Sequence, residues 1–246
     1  MDELEEILLG GQSFSWSKKE GYYEGVLNER VYRISSLKDC ENDSFLRSYF
    51  DLDYDYDKAR AEIAKKDDLL KEAVNKFPSL RILRQDPWTC VISFILSQNN
   101  NIKRIKQLYD RLSENYGHEV EKGYYSFPTA SELSKATVEE LHALRVGFRD
   151  KFIVDAVKQH ELFNSIDKLP FDEALKELQK VKGIGLKVAS CILLFGYHRM
   201  EAFPVDVWIK KVLAKYYPGK DLSYFEPYPA LCQQYLFSFS RYLKLE

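Results

Sequence analysis

The chain has 246 residues, 45% hydrophobic and 30% charged, which excludes a disordered polypeptide and allows one large core or two modest ones. No run of eighteen apolar residues suggests a membrane span, and the acidic start MDELEEILLGG lacks the basic region of a secretory signal. Residues 1–75 carry 11 Lys+Arg against 18 Asp+Glu and residues 76–246 carry 25 against 20, so the net charge of −2 hides a mildly basic later part. That excess suits a specific nucleic-acid site better than indiscriminate binding, although charge alone does not separate it from ordinary surface variation.

In chain order, QSFSWSKKEG, GYYEGVLNER and VYRISSL are short aromatic and β-branched runs divided by Gly- and Asn-containing turns. They predict antiparallel strands over the first forty residues. FDLDYDYDKARAEIAKKDDLLKEAVNKF shifts to acidic text with helical spacing. PWTCVISFILSQ reads as a buried helix with Asp86 as N-cap and Pro87 at its first position. NIKRIKQLYDRLSENYG reads as an amphipathic helix stopped by Gly117. Thr137 and Glu140 form a capping box for EELHALRV, with Gly147 as its stop. DEALKELQKVKG is helical, and YPALCQQYLFSFSRYLKL is a final helix. The fold class expected is α+β, mainly α: an N-terminal antiparallel sheet domain over 1–75, with flanking helices, on a helical body over 76–246.

The four cysteines, at 40, 90, 191 and 232, are too dispersed for a zinc or iron–sulfur motif and read as reduced intracellular thiols. The histidines at 118, 142, 160 and 198 show no ligand spacing. No metal and no nucleotide cofactor is implied.

The densest chemistry lies in KGIGLKVASCILLFGYHRMEAFPVDVW, residues 182–208. Gly183 and Gly185 supply the freedom for a tight turn, and the helix that follows begins with free N–H groups able to hold a phosphate. Lys187 sits at that helix start, where the helix field and partial burial favour a neutral, nucleophilic amine. A solvated surface lysine is the plain alternative. Asp206 precedes VWIKKVLAKYY as a helix N-cap. Capping also fixes a carboxylate where it could face positive charge developing on a sugar, so the two roles are compatible.

Ser97-Gln98-Asn99-Asn100-Asn101 reads as a polar turn between helices, with Arg104 one turn into the next helix on the same side. Asn and Arg presented together can read base edges. Phe148-Arg149 reads as a second exposed aromatic and guanidinium pair, able to wedge into a base stack and grip a base.

As a set, GGQSFSW, LRQDPW, FILSQNNNIKRI, VGFRDKF, KGIGLKVASCI, PVDVW and QQYLFS resemble the helix-hairpin-helix DNA glycosylases, and among them the 8-oxoguanine DNA glycosylase family, over nearly the whole chain. The resemblance implies an enzyme that flips 8-oxoguanine paired with cytosine out of double-stranded DNA, cleaves its glycosidic bond and nicks the strand by β-elimination. Lys187 matches the lysine that forms the Schiff base and Asp206 the aspartate that supports the transition state. Gly11 matches the glycine whose carbonyl accepts the N7–H that oxidation creates. Gln233 matches the reader of the Watson–Crick edge, and Cys191 and Phe237 match the two faces of the base sandwich. Asn99 matches the residue that fills the vacated gap, Arg104 and Arg149 the pair on the orphaned cytosine, and Phe148 the wedge, where Tyr is familiar. Gly183, Gly185 and Val188 match the amides on the DNA backbone. Trp208 stands where relatives carry a histidine near the phosphate, and Phe195 where a Met shapes the pocket. A monomer in a prokaryotic cytoplasm is expected.

Rival readings are weaker. An endonuclease III-like enzyme carries four closely spaced C-terminal cysteines, an adenine glycosylase usually lacks the lysine, and an alkylbase glycosylase has the aspartate without it. A non-catalytic helix-hairpin-helix module has no reason to keep Lys187, Asp206 and a base pocket together.

Overall fold

The computed structural model describes residues 2–245. Helix α1 (Glu5–Leu9) leads into β1 (Trp16–Lys18), β2 (Tyr23–Leu27) and β3 (Arg30–Ile34), an antiparallel sheet in the order β1-β2-β3. The expectation of strand throughout the first forty residues misses α1, whose Ile7 and Leu8 are buried. Helices α2 (Ser44–Tyr49), α3 (Tyr56–Ile63) and α4 (Asp68–Lys76) follow, started by the side chains of Asp43, Asp55 and Asp67.

An extended connection leads to α5 (Pro87–Leu96), capped by Asp86 accepting from the Thr89 N–H at 2.7 Å, and to α6 (Ile102–Tyr116), which ends at Gly117 as expected. A small hairpin of β4 (Glu119–Glu121) and β5 (Tyr124–Tyr125) interrupts the helical part and was not legible in the sequence. Tyr124 ties it to the first sheet by donating to Glu24 at 2.9 Å. Helices α7 (Ala130–Leu133), α8 (Val138–Ala143), α9 (Asp150–Lys158), α10 (Phe171–Leu178), α11 (Leu186–Gly196), α12 (Val207–Tyr216) and α13 (Pro229–Ser240) complete the chain.

The Thr137–Glu140 capping box forms, but Gly147 does not end the helix it opens. Arg145 turns left-handed (φ 64°) directly after α8, with its N–H on the His142 carbonyl at 2.8 Å. Gly147 (φ 66°) opens a 3-10 turn, Gly147–Arg149, instead.

Two hydrophobic clusters organise the molecule. Trp16, Tyr23, Ile34, Tyr49, Phe50 and Leu83 belong to a smaller one under the sheet. The larger spans α3 to α13, with Tyr56, Ile63 and Leu70 packed in with the helical body. Helix α11 is buried at every residue from Val188 to Phe195 and packs on α5. A Cβ on Gly196 would lie 3.1 Å from Pro87 Cα and from Cys90 Cβ, so this glycine lets the two helices approach closely.

Candidate active site

The hairpin between α10 and α11 needs glycine at one of its two positions for backbone reasons. Gly183 has φ 86°, and a Cβ there would fall 2.3 Å from the Phe152 ring. Gly185 has an ordinary φ of −86°, so the expected need for backbone freedom does not apply to it. It is the N-cap of α11, no side chain caps the helix, and a Cβ would meet nothing within 4 Å. The first N–H groups of α11 therefore open onto free surface beside an absent side chain, which is the geometry of an anion site. Val188 contributes only backbone there, because its side chain is buried.

Lys187, Cys191 and Phe195 recur at intervals of four and so share one face of α11. Lys187 is half-buried. Its ammonium lies 3.4 Å from Ser97 Oγ and 5.7 Å from the centroid of the Phe94 ring. Phe94 stacks on Phe195 at 5.3 Å and meets Phe14 edge-on at 6.4 Å, so an aromatic floor supports the lysine. Ser97 and Phe94 were not singled out from sequence, because nothing in their spacing marks a lysine partner ninety residues away.

Asp206 caps α12 by accepting from the Ile209 N–H at 2.8 Å, as expected. Burial pushes the Cys191 thiol up, the nearby Lys187 opposes that shift and Asp206 adds to it. The sulfur thus lies within electrostatic reach of both the amine and the carboxylate.

Helix α13 brings Gln233 and Phe237. Gln233 is buried, donates to the Pro204 carbonyl at 3.0 Å and accepts from Gln234 at 2.7 Å, which ties it to the segment that delivers Asp206. Phe237 is half-buried. A Cβ on Gly11 (φ 108°) would lie 3.8 Å from Phe237 and 3.0 Å from Ile102, so Gly11 is pinched between α13 and the start of α6.

A second group lies along the 97–101 turn and the 3-10 turn. Asn99 is exposed and left-handed (φ 47°), and Asn101 caps α6 through the Arg104 N–H at 2.9 Å. Arg104 donates to the Arg145 carbonyl at 2.9 Å. Arg149 departs from the expected exposed pair. Phe148 is 53% exposed, but Arg149 is only 7% exposed. Its guanidinium donates to the carbonyls of Val146 at 2.9 Å, Asn99 at 3.2 Å and Gln98, and burial together with Arg104 lowers its pKa. Those carbonyls draw it inward, while Phe148 lies over it at 4.4 Å and packs edge-on against Phe152. Trp208 is 45% exposed on α12 with Lys211 5.7 Å over its ring, and no hydrogen bond joins it to the pocket among the described residues.

The chain matches the 8-oxoguanine DNA glycosylase N-terminal domain over residues 2–91 and the HhH-GPD superfamily base excision DNA repair protein over residues 92–226. Its structure is similar to a Clostridium acetobutylicum 8-oxoguanine glycosylase/lyase in complex with double-stranded DNA containing cytosine opposite 8-oxoG. The TM-score is 0.87 at 34% identity, covering 97% of this chain and 91% of that one. Curated relatives are the N-glycosylase/DNA lyases of Saccharomyces cerevisiae, 28% identical over 87% of this chain, and Arabidopsis thaliana, 27% over 84%. The matches span 68% and 64% of those proteins. The chain belongs to the 8-oxoguanine DNA glycosylase family, within the HhH-GPD superfamily of base excision repair proteins.

Proposed function

We propose that this protein is a bifunctional N-glycosylase and DNA lyase that removes 8-oxoguanine paired with cytosine. The observation that carries this reading is a half-buried lysine at the open start of α11 and a carboxylate fixed as the cap of α12, both within electrostatic reach of Cys191. The α11 N–H groups and the Gly183 turn grip the phosphates, and Phe148 wedges into the stack as the base leaves it. The Gly11 carbonyl accepts N7–H, which 8-oxoguanine has and guanine lacks, so guanine would set acceptor against acceptor. Gln233 reads the Watson–Crick edge, Cys191 and Phe237 hold the base faces, and Phe195 shapes the pocket. Asn99 fills the gap, and Arg104 and Arg149 hold the orphaned cytosine.

As the glycosidic bond lengthens, the Asp206 carboxylate stabilises positive charge on the sugar. The Lys187 amine bonds to C1′ and the base departs with the bonding pair, taking up a proton. Ring opening leaves an imine between Lys187 and C1′. Loss of a C2′ proton then expels the 3′ phosphate by β-elimination. The protein acts on duplex DNA as a monomer, inside a prokaryotic cell and without a cofactor. Trp208 lies against the DNA backbone beside the hairpin. No helix among the described residues is long and apolar enough to cross a membrane.

The test is incubation with a duplex carrying one 8-oxoguanine opposite cytosine in the presence of borohydride, beside Lys187→Gln. A covalent adduct with the native protein alone is expected. Base release without an adduct would leave a glycosylase using Asp206 and water, and the absence of both adduct and base release would remove the 8-oxoguanine assignment.

A further inference from the structure

Reading N7–H with the Gly11 carbonyl requires that this oxygen hold its place to within about 0.5 Å. Gly11 is the second of two glycines, at φ 108°, and has no side chain to hold it. Among the described residues no group of the fold donates to its carbonyl, which leaves the oxygen an open acceptor. The next residue is held firmly. Gln12 is 3% exposed, its amide N–H donates to the Arg81 carbonyl at 2.9 Å, and its amide oxygen accepts from the Leu83 N–H at 3.0 Å. Its backbone carbonyl accepts from the Gln85 side chain at 2.7 Å. The Gln85 N–H in turn donates to the Phe195 carbonyl, 3.2 Å away at the end of α11.

The Gly11 carbonyl and the Gln12 nitrogen share one rigid peptide plane. Anchoring Gln12 at both its side chain and its carbonyl therefore constrains the plane that carries the Gly11 oxygen. Ile102 and Phe237 limit its travel on the side of the missing Cβ. The 81–85 segment holds Gly11 through Gln12 and α11 through Gln85, so it sets the distance between the lesion-reading carbonyl and the helix that bears Lys187.

We propose that Gln12, assisted by Gln85, is a positioning residue for lesion discrimination: this clasp aims the Gly11 carbonyl at N7–H. The inference rests on the reading of Gly11 given above.

Two single-turnover rates separate this from a merely structural role. One is excision of 8-oxoguanine from duplex DNA; the other is nicking at a preformed abasic site, which needs Lys187 and the hairpin but no base. Gln12→Met is expected to slow excision about tenfold or more while abasic nicking changes less than about twofold. Gln85→Met, which removes only the bond to the Gln12 carbonyl, is expected to shift the ratio in the same direction by about threefold, and it decides the matter if Gln12→Met fails to fold. An equal fall in both rates, or unchanged excision with a lowered melting temperature, would overturn the inference while leaving the lesion reading intact. If the native protein does not distinguish 8-oxoguanine from guanine at all, the lesion reading falls and this inference with it.

Discussion

Lys187, Cys191 and Phe195 project from successive turns of one buried helix, whereas Asn99, Arg104, Phe148 and Arg149 come from two turns and the first turn of α6. On the first side the core, with Cys191 and Phe195 in it, fixes the geometry, and the Lys187 amine carries little of the packing. On the second side the backbone visits left-handed conformations at Asn99, Arg145 and Gly147, and buried guanidinium–carbonyl bonds hold it there. Under the proposed roles, the chemistry of Lys187 would be separable from stability, while recognition of the opposite base would be coupled to it on the loop side.

The sharpest test of that separation is Lys187→Gln. The hydrogen bond of its ammonium to Ser97 is long, at 3.4 Å, so the melting temperature should stay while nicking falls about a thousandfold or more and borohydride trapping vanishes. Asp206→Asn comes next. Asn caps a helix as well as Asp, so thermal unfolding should be unchanged while excision falls about a hundredfold. Asp206→Ala should add a stability loss of about 1 kcal/mol in denaturant titration.

On the loop side the two readouts should move together. Arg149→Met strands the carbonyls of Gln98, Asn99 and Val146, so a stability loss of about 1–3 kcal/mol should accompany a roughly tenfold loss of preference for cytosine over other opposite bases. Unchanged stability in this variant would break the contrast. Phe148→Ala removes a ring that is half exposed but packs on Arg149 and Phe152, so it should weaken lesion-duplex binding a few-fold in titration and lower stability by about 0.5–1 kcal/mol.

The remaining effect concerns acid and lies outside both groups. Burial raises the Asp51 carboxyl pKa, but bonds from His198, Arg84 and Tyr56 outweigh burial and hold it at about 2. A depressed carboxyl contributes stability above its unfolded pKa and loses it as pH falls through the folded value. About 2 kcal/mol should therefore disappear between about pH 4 and pH 2, and Asp51→Asn should flatten that part of the stability curve.

Features with local causes were legible in the sequence. The caps at Asp86, Thr137 and Asp206 and the Gly183 turn are short-range chemistry, and the structure bears them out. Helix α1 and the β4–β5 hairpin escaped because each is short and defined by what it packs against. The burial of Arg149 escaped for a related reason. A guanidinium beside an exposed aromatic reads as surface until the Gln98 and Asn99 carbonyls, fifty residues earlier, are known to point at it. Ser97 and Gln12 carry no local signature, since their partners come from distant segments.

All four cysteines are buried. Burial pushes the thiols of Cys40 and Cys232 up to about 12 and raises those of Cys90 and Cys191, the last despite the lysine beside it. Peroxide attacks thiolate, and at neutral pH these sulfurs hold their protons behind protein. A repair protein for oxidised guanine would work where oxidants are abundant, and its own sulfurs are kept in the form those oxidants react with most slowly.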